Sequence, residues 1–224
     1  YSWMPTWINS FKLRGAIGKA GKAPGPYDAF LTLAPGAVFT NTPSLTPASP
    51  GNLDLKPEVT TETDVGFDAG FFHDRVGLSG SIYQSTTNDA ILAIPLPPSS
   101  GFSQAQQQNV GAIVTHGWDF SVNWVALDLN NFQFSNDFKL DGNHNRITDI
   151  GTATPTTTVR VGYPVGGVWG IAPKSYDAGT KTWASTDTAV YFGPPLPTFN
   201  FSYSPTVRFK SFQAYLLVPA SRGA

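Results

Sequence analysis

The sequence predicts an all-β protein, an antiparallel up-and-down sheet of about seven strands. Three observations carry that reading. Apolar and polar residues alternate with period two in seven separate segments, the pattern of a strand with two unlike faces. No stretch shows helical periodicity, and no run of about 18 apolar residues occurs, so no transmembrane helix or signal-peptide core is expected. The connections between the segments alternate between short and long.

The first segment, 11–21, sets Phe11, Leu13 and Ile17 against Lys12, Arg14 and Gly18. In the second, roughly 61–72, Val65, Phe67, Ala69 and Phe71 alternate with Asp64, Gly66, Asp68 and Gly70. The third, 76–92, follows a tight His-Asp-Arg turn. The fourth, 116–125, is the most regular: Trp118, Phe120, Val122 and Trp124 alternate with Gly117, Asp119, Ser121 and Asn123. After the short connection "ALDLNN" comes the fifth, 132–140. The sixth, 199–209, sets Phe199, Phe201, Tyr203 and Val207 against Asn200, Ser202, Thr206 and Arg208. The seventh, 212–220, follows Lys210-Ser211.

Composition narrows the function. The net charge is −1, with no basic patch for nucleic acid. Charged residues make up 13%, against a typical value of about 25%, and small polar residues fill the deficit. Cysteine is absent, which excludes disulfides and thiolate-bound metal. The chain begins "YSWMPTW" and ends just after an apolar strand; we read it as part of something longer.

Loop lengths decide the architecture. Long connections follow strands one, three and five, and tight turns or short links follow two, four and six. That places every long loop at one end of the sheet, as in outer-membrane barrels with short periplasmic turns and long extracellular loops. Strands one, three, five and seven would run outward. The inner face would then hold Asp64, Asp68, Asp119, Asn123, Gln133, Asp137, Lys139, Asn200 and Arg208, which suits a wet or plugged lumen. Trp118 and Trp124 would face lipid or its interface. A secreted β-sandwich accounts for the alternation equally well but leaves the loop rule to chance.

The segment "GNLDLKPEVTTETDVGFDAGFFHDRVGLSGSIYQSTTNDAIL" resembles the Leu-Lys-Pro-Glu region of TonB-dependent outer-membrane receptors, most of all their SusC/RagA branch. The motif residues here are Asn52, Leu55, Lys56, Pro57 and Glu58, with Leu53 where the family usually has Pro. Further matching pieces follow in order: "NVGAIVTHGWDFSVN", "VRVGYPVGGVWG" and "VYFGPPLPTFNFSYSPTVRFKSF". The resemblance implies that residues 1–224 are a segment of a transmembrane barrel of roughly 22 strands, without plug domain or terminal strand. It implies a bacterial outer-membrane importer of a large nutrient such as an oligosaccharide or peptide. The partners implied are TonB acting through the missing plug, outer-membrane lipid and a SusD-like surface lipoprotein. A siderophore or cobalamin receptor is the alternative within the class; a secreted carbohydrate-binding or adhesion module is the alternative outside it.

No catalytic residue, cofactor or metal site is expected. His73, His116 and His144 fall in separate turns or strands, and no nucleophile sits on a strand-to-helix turn. "GAIGKAGK" (15–22) lacks phosphate-loop spacing. "DGNHN" (141–145) lacks the calcium-loop glycine and glutamate and reads as a strand fraying into its loop. The loop aromatics Phe102, Tyr163, Trp169, Tyr176 and Trp183 are the candidate substrate contacts, since aromatic faces beside amides bind sugars or peptides without strong charge. The competing reading is that they pack the loops together.

Overall fold

The computed structural model describes residues 5–38, 42–102, 104–151, 155–156 and 159–223. In chain order the strands begin with Ile8–Lys22 (β1), Thr32–Val38 (β2), Thr42–Ser49 (β3), Glu58–Phe71 (β4) and Val76–Asn88 (β5). Ile91–Ile94 (β6), Gln106–Asn109 (β7), Ala112–Leu129 (β8) and Phe132–Asp149 (β9) follow. The remainder are Val168–Gly170 (β10), Pro173–Asp177 (β11), Thr182–Ser185 (β12), Val190–Gly193 (β13), Phe199–Phe209 (β14), Phe212–Tyr215 (β15) and Val218–Arg222 (β16). The single helical element among the described residues is a 3-10 turn, Pro98–Ser100.

One antiparallel sheet dominates, in the order β1-β4-β5-β8-β9-β14, with β15 and β16 both on the far side of β14. Those two are one strand. Thr206 pairs with Tyr215 and Tyr203 with Val218 in the same register, and the interruption falls opposite Pro205. Proline has no N–H to give the ladder. The Leu216 N–H still donates to the Pro205 carbonyl at 3.1 Å, and the Ser204 hydroxyl donates to the Leu216 carbonyl at 3.1 Å in place of the missing amide. The sheet is therefore the expected seven-stranded, up-and-down array.

Several strand ends and all the long loops differ from expectation. Strand β5 stops at Asn88 instead of running to residue 92, since Ile91 and Leu92 belong to the separate β6, and β8 begins at Ala112, ahead of His116. Strand β8 does not stop at Val125; it runs to Leu129 through a bulge between Val125 and Leu127. The extra residue reverses the alternation. Leu127 and Leu129 stay on the apolar face, opposite Phe134 and Phe132, and Asp128 lies with Gln133 on the polar one. Strand β9 continues through "DGNHN" to Asp149, because beyond the apolar band both faces are polar and the alternation is lost. The long connections are not structureless. They fold into the pairs β2–β3, β6–β7, β10–β13 and β11–β12, which satisfies their backbone groups locally.

Register fixes the faces. Leu13, Phe67, Gly80, Phe120, Leu140 and Phe201 form one cross-strand row on the apolar face. The polar face carries Arg14, Ser79, Ser121 and Lys139 at adjoining positions, with Arg208 further toward the tight-turn end opposite Gln133. Leu13 and Ile17 are 70% and 77% exposed, so this sheet has no core against its apolar face. Polar residues take over that face toward the loop end, as at Thr61, Thr63, Gln84 and His116; within the apolar band Asn136 is 3% exposed, and its Oδ1 accepts the Tyr203 hydroxyl at 2.7 Å.

The buried core lies elsewhere, at the loop end of the sheet, where Ile94, Val110, Ile147, Ile150 and Val159 pack together with Leu92, Ile113 and Val165. Ile113 and Ile147 are directly paired and share the face of Asp119. The loops that rest on them therefore lean over the polar face. Residues 162–163 extend this packing: Ile147 N–H donates to the Tyr163 carbonyl at 2.9 Å, and Gly162 N–H to the Ile147 carbonyl at 2.8 Å.

Candidate functional site

The polar face and the loops over its end form a concave, chemically varied region. Four residues expected to share a face do so: Asp64, Asp68, Asp119 and Asn123 lie on the same side of β4 and β8. Asp68 and Asp119 have cross-strand partners, as have Asp137 and Asp141 on the same face. Ser79 Oγ donates to Asp68 Oδ1 at 2.9 Å, and Arg14 donates to Ser79 Oγ at 3.3 Å while its Nε stands 3.9 Å from Asp68 Oδ2. Asn123 donates to Asp137 at 2.7 Å, Asn200 to Asp141 at 2.7 Å, and Ser81 to Asp119 at 3.4 Å. Both partners of the Arg14–Asp68 pair are more than 40% exposed, so it contributes at most about 1 kcal/mol. Among them lies a depression of about 210 Å³, lined by Arg14, Ser79, Ser81, Asp119, Lys139 and Asp141. Hydroxyls and both signs of charge on rigid strands can orient polar solutes or chain without committing to one charge type.

The motif residues form a clasp at the rim. Asn52 donates from Nδ2 to the Gln107 carbonyl at 2.9 Å, and its Oδ1 accepts Asp54 N–H at 3.1 Å. Asn109 brackets Lys56, accepting its N–H and donating to its carbonyl, both at 2.8 Å, and donates again to the Asp89 carbonyl at 2.7 Å. Glu58 accepts Ile91 N–H at 3.1 Å and pairs with Lys22 at 3.2 Å. The Gln106 amide donates to the Gly51 carbonyl. Leu55 is half-buried beside these contacts, and Pro57 fixes the chain direction into β4. The motif ties the β6–β7 hairpin to the start of β4.

The five loop aromatics separate into groups. Tyr163 meets Trp169 edge-on, with centroids 4.7 Å apart, and both contact Tyr191. The Arg160 guanidinium covers the Trp169 ring at 4.3 Å, and its Nε donates to the Thr156 carbonyl at 3.0 Å. Burial, helped by Tyr163, pushes the Tyr191 hydroxyl up from its ordinary value. Tyr176 and Trp183 are directly paired on the β11–β12 hairpin, 5.0 Å apart, and are 52% and 67% exposed. The turn beyond them is held by Asp177, which accepts Gly179 N–H at 2.8 Å. That bond, followed by those from Thr180, holds its carboxyl below the usual 3.8. Phe102 stands apart, after the 3-10 turn, with its N–H on Ser100 Oγ at 3.4 Å. Tyr191, Arg160 and Asn109 escaped the sequence reading, because each is defined by partners distant in the chain.

Among the described residues no group of three or more His, Asp or Glu is placed to hold a metal ion.

Comparison with known proteins agrees with this geometry. The family profile described as "TonB dependent receptor-like, beta-barrel" matches residues 1–217. A TonB-dependent receptor of Formosa agariphila is 28% identical over 256 aligned residues, covering 96% of this chain and 26% of that relative. TonB-dependent receptor SusC of Bacteroides thetaiotaomicron is 31% identical over 44% of this chain and 10% of its own length. The solved structure of the RagAB peptide transporter superposes with a TM-score of 0.77 at 21% identity, covering 98% of this chain and 27% of that one. The chain thus spans about a quarter of the length of the relatives it matches most fully.

Proposed function

Because the chain belongs to the TonB-dependent receptor-like β-barrel family, we propose that it forms wall and outward loops of an outer-membrane importer of a large nutrient, an oligosaccharide or a peptide. One observation carries the reading: a sheet whose apolar face has no core of described residues against it and whose polar face has the loops packed over its end. The apolar stripe of β8 runs from Trp118 to Leu129. Eleven steps of about 3.3 Å give roughly 36 Å along the strand. At a tilt near 40° this rises roughly 28 Å, close to the ~25 Å apolar band of such barrels. On this reading Asp64, Asp68, Asp119 and Asn123 face the lumen, and the tight turns face the periplasm.

The chain's share of its relatives' length leaves the other strands, and a plug through which TonB acts, to the rest of a longer protein. A SusD-like lipoprotein would close the outward mouth. Tyr176 and Trp183 present open aromatic faces, so they are the substrate contacts of this segment. Phe102 is a lesser one. Tyr163 and Trp169 are already occupied by Tyr191 and Arg160 and shape the loop.

The test is uptake by cells carrying the full-length receptor. Labelled oligosaccharide and oligopeptide pools are offered with TonB present and absent. TonB-dependent uptake of one pool, reduced by Tyr176→Ala/Trp183→Ala with surface expression unchanged, supports the proposal. Uptake of neither pool, or TonB-independent uptake, contradicts it.

A further inference from the structure

We propose that the sheet carries a transition-metal site at its loop end, with His116 and His144 as ligands; it rests on strand pairing and not on the membrane-wall reading. The two histidines are distant in the sequence, but the β8–β9 register sets them directly opposite one another. Gln84 of β5 is the partner of His116 on its other side. An amide and two imidazoles thus form one row across three strands, on the face of Trp118. Directly opposed residues hold their Cβ atoms about 4.5–5.5 Å apart. Two nitrogens bound to one metal at about 2.0–2.1 Å stand about 3 Å from each other, which a slight inward tilt of the rings supplies. The frame is firm, since β8 and β9 are paired from Ala112 and Asp149 to Leu129 and Phe132.

Both histidines are exposed, and among the described residues neither side chain is held in a hydrogen bond or an ion pair. No interaction has to be broken for their nitrogens to bind. Gln84 and His116 line an open depression of about 680 Å³, with room for the water ligands that complete the coordination. The donor set selects the ion. Calcium and magnesium need several oxygen ligands, carboxylates foremost. The nearby Asp119 and Asp141 lie on the opposite face, and Arg146 stands two residues beyond His144 on this one, which disfavours a cation held by charge alone. Neutral imidazoles suit Cu²⁺, Ni²⁺ and Zn²⁺, and bind Cu²⁺ most strongly. The position gives binding a consequence. Beyond His144, β9 leads into the connection that carries Tyr176 and Trp183, and β8 is entered from the β6–β7 hairpin shortly before His116. A bound ion fastens together the strands at the root of both.

The test uses the full-length receptor in detergent, purified without a histidine tag and stripped of metal. Cu²⁺, Ni²⁺, Zn²⁺, Ca²⁺ and Mg²⁺ are titrated by calorimetry, and the Cu²⁺ form is read by electron paramagnetic resonance. Wild type is expected to bind one more Cu²⁺ than His116→Gln/His144→Gln, with nitrogen hyperfine splitting that the double variant loses. Each single change lowers the Cu²⁺ affinity of that site more than about ten-fold. Gln84→Leu lowers it less, and His73→Gln, in the turn at the other end of the sheet, leaves it unchanged. Ni²⁺ and Zn²⁺ fill the same site more weakly, and Ca²⁺ and Mg²⁺ do not. Zn²⁺ should also slow amide exchange across residues 143–147 in wild type but not in the double variant. The substituted positions are exposed, so the variants should keep wild-type heat-modifiable mobility. Equal Cu²⁺ stoichiometry and equal resonance in wild type and double variant overturn the proposal, as does loss of the site in His73→Gln or its filling by Ca²⁺. Unchanged exchange with Zn²⁺ bound overturns the fastening.

Discussion

Asn109 encloses the backbone of Lys56 like a neighbouring strand: Oδ1 accepts its N–H and Nδ2 donates to its carbonyl, each at 2.8 Å. One side-chain amide thus substitutes for a ladder pair between segments 53 residues apart. The family motif is, in this light, a fastening whose other half lies in β7.

Asn109→Ala should release the rim without unfolding the sheet. Hydrogen bonds of this kind contribute about 1 kcal/mol each, so amide exchange at Lys56 should accelerate about ten-fold while β8 and β9 keep their protection. Asn109→Asp keeps the acceptor and loses the donors, and should fall between the two. Unchanged exchange at Lys56 in Asn109→Ala would show that the clasp is not holding the loop.

Gly142 is required by its opposite number. The Trp118 indole lies over it, and a Cβ at 142 would stand 2.7 Å from Nε1. Gly142→Ala should cost about 1–3 kcal/mol in denaturant unfolding of the detergent-solubilised barrel. In a Trp118→Leu background the same change should cost clearly less. Gly18→Ala, whose Cβ would meet nothing within 4 Å, is the control.

The β11–β12 hairpin should be insensitive to pH until strongly acid. The Asp177 carboxyl is held below its usual 3.8 by the Gly179 amide first and Thr180 second. A depressed carboxyl contributes stability that is present above the unfolded value and is lost as pH falls through the folded one. Trp183 emission should therefore be constant from neutral pH to about 4, and change only below. Asp177→Asn should remove that acid step. A transition between pH 5 and 7 would assign the turn to another group.

Much of this was legible in the sequence, and the misses have physical causes. Period two found all seven wall strands, because one face of each is apolar over the central band, with Asn136 of β9 the polar residue within it. It lost β8 at Val125, where the bulge reverses the phase, and β9 at Leu140, where Asn143, His144, Asn145 and Arg146 make both faces polar. The loop hairpins carry no alternation, since neither side of β11 or β12 is buried. The loop aromatics were visible as residue types. Their sorting into an occupied cluster and an open pair depends on Tyr191 and Arg160, whose proximity no local pattern records.

The central claim is that the apolar stripe faces lipid and the charged one does not. It is tested most directly by heat-modifiable gel mobility of the membrane fraction for paired variants of the full-length receptor: Val122→Arg against Asn123→Arg, and Phe134→Arg against Ser135→Arg. Val122 and Phe138 are opposite one another on the apolar face, as Asn123 and Asp137 are on the polar one. A charge on the lipid face near the midplane costs roughly 2–4 kcal/mol. Val122→Arg and Phe134→Arg should therefore deplete the folded, heat-modifiable form, with Asn123→Arg and Ser135→Arg assembling as wild type. If both members of each pair assemble alike, or the polar-face change is the more damaging, the apolar stripe belongs against protein and the membrane-wall account is wrong.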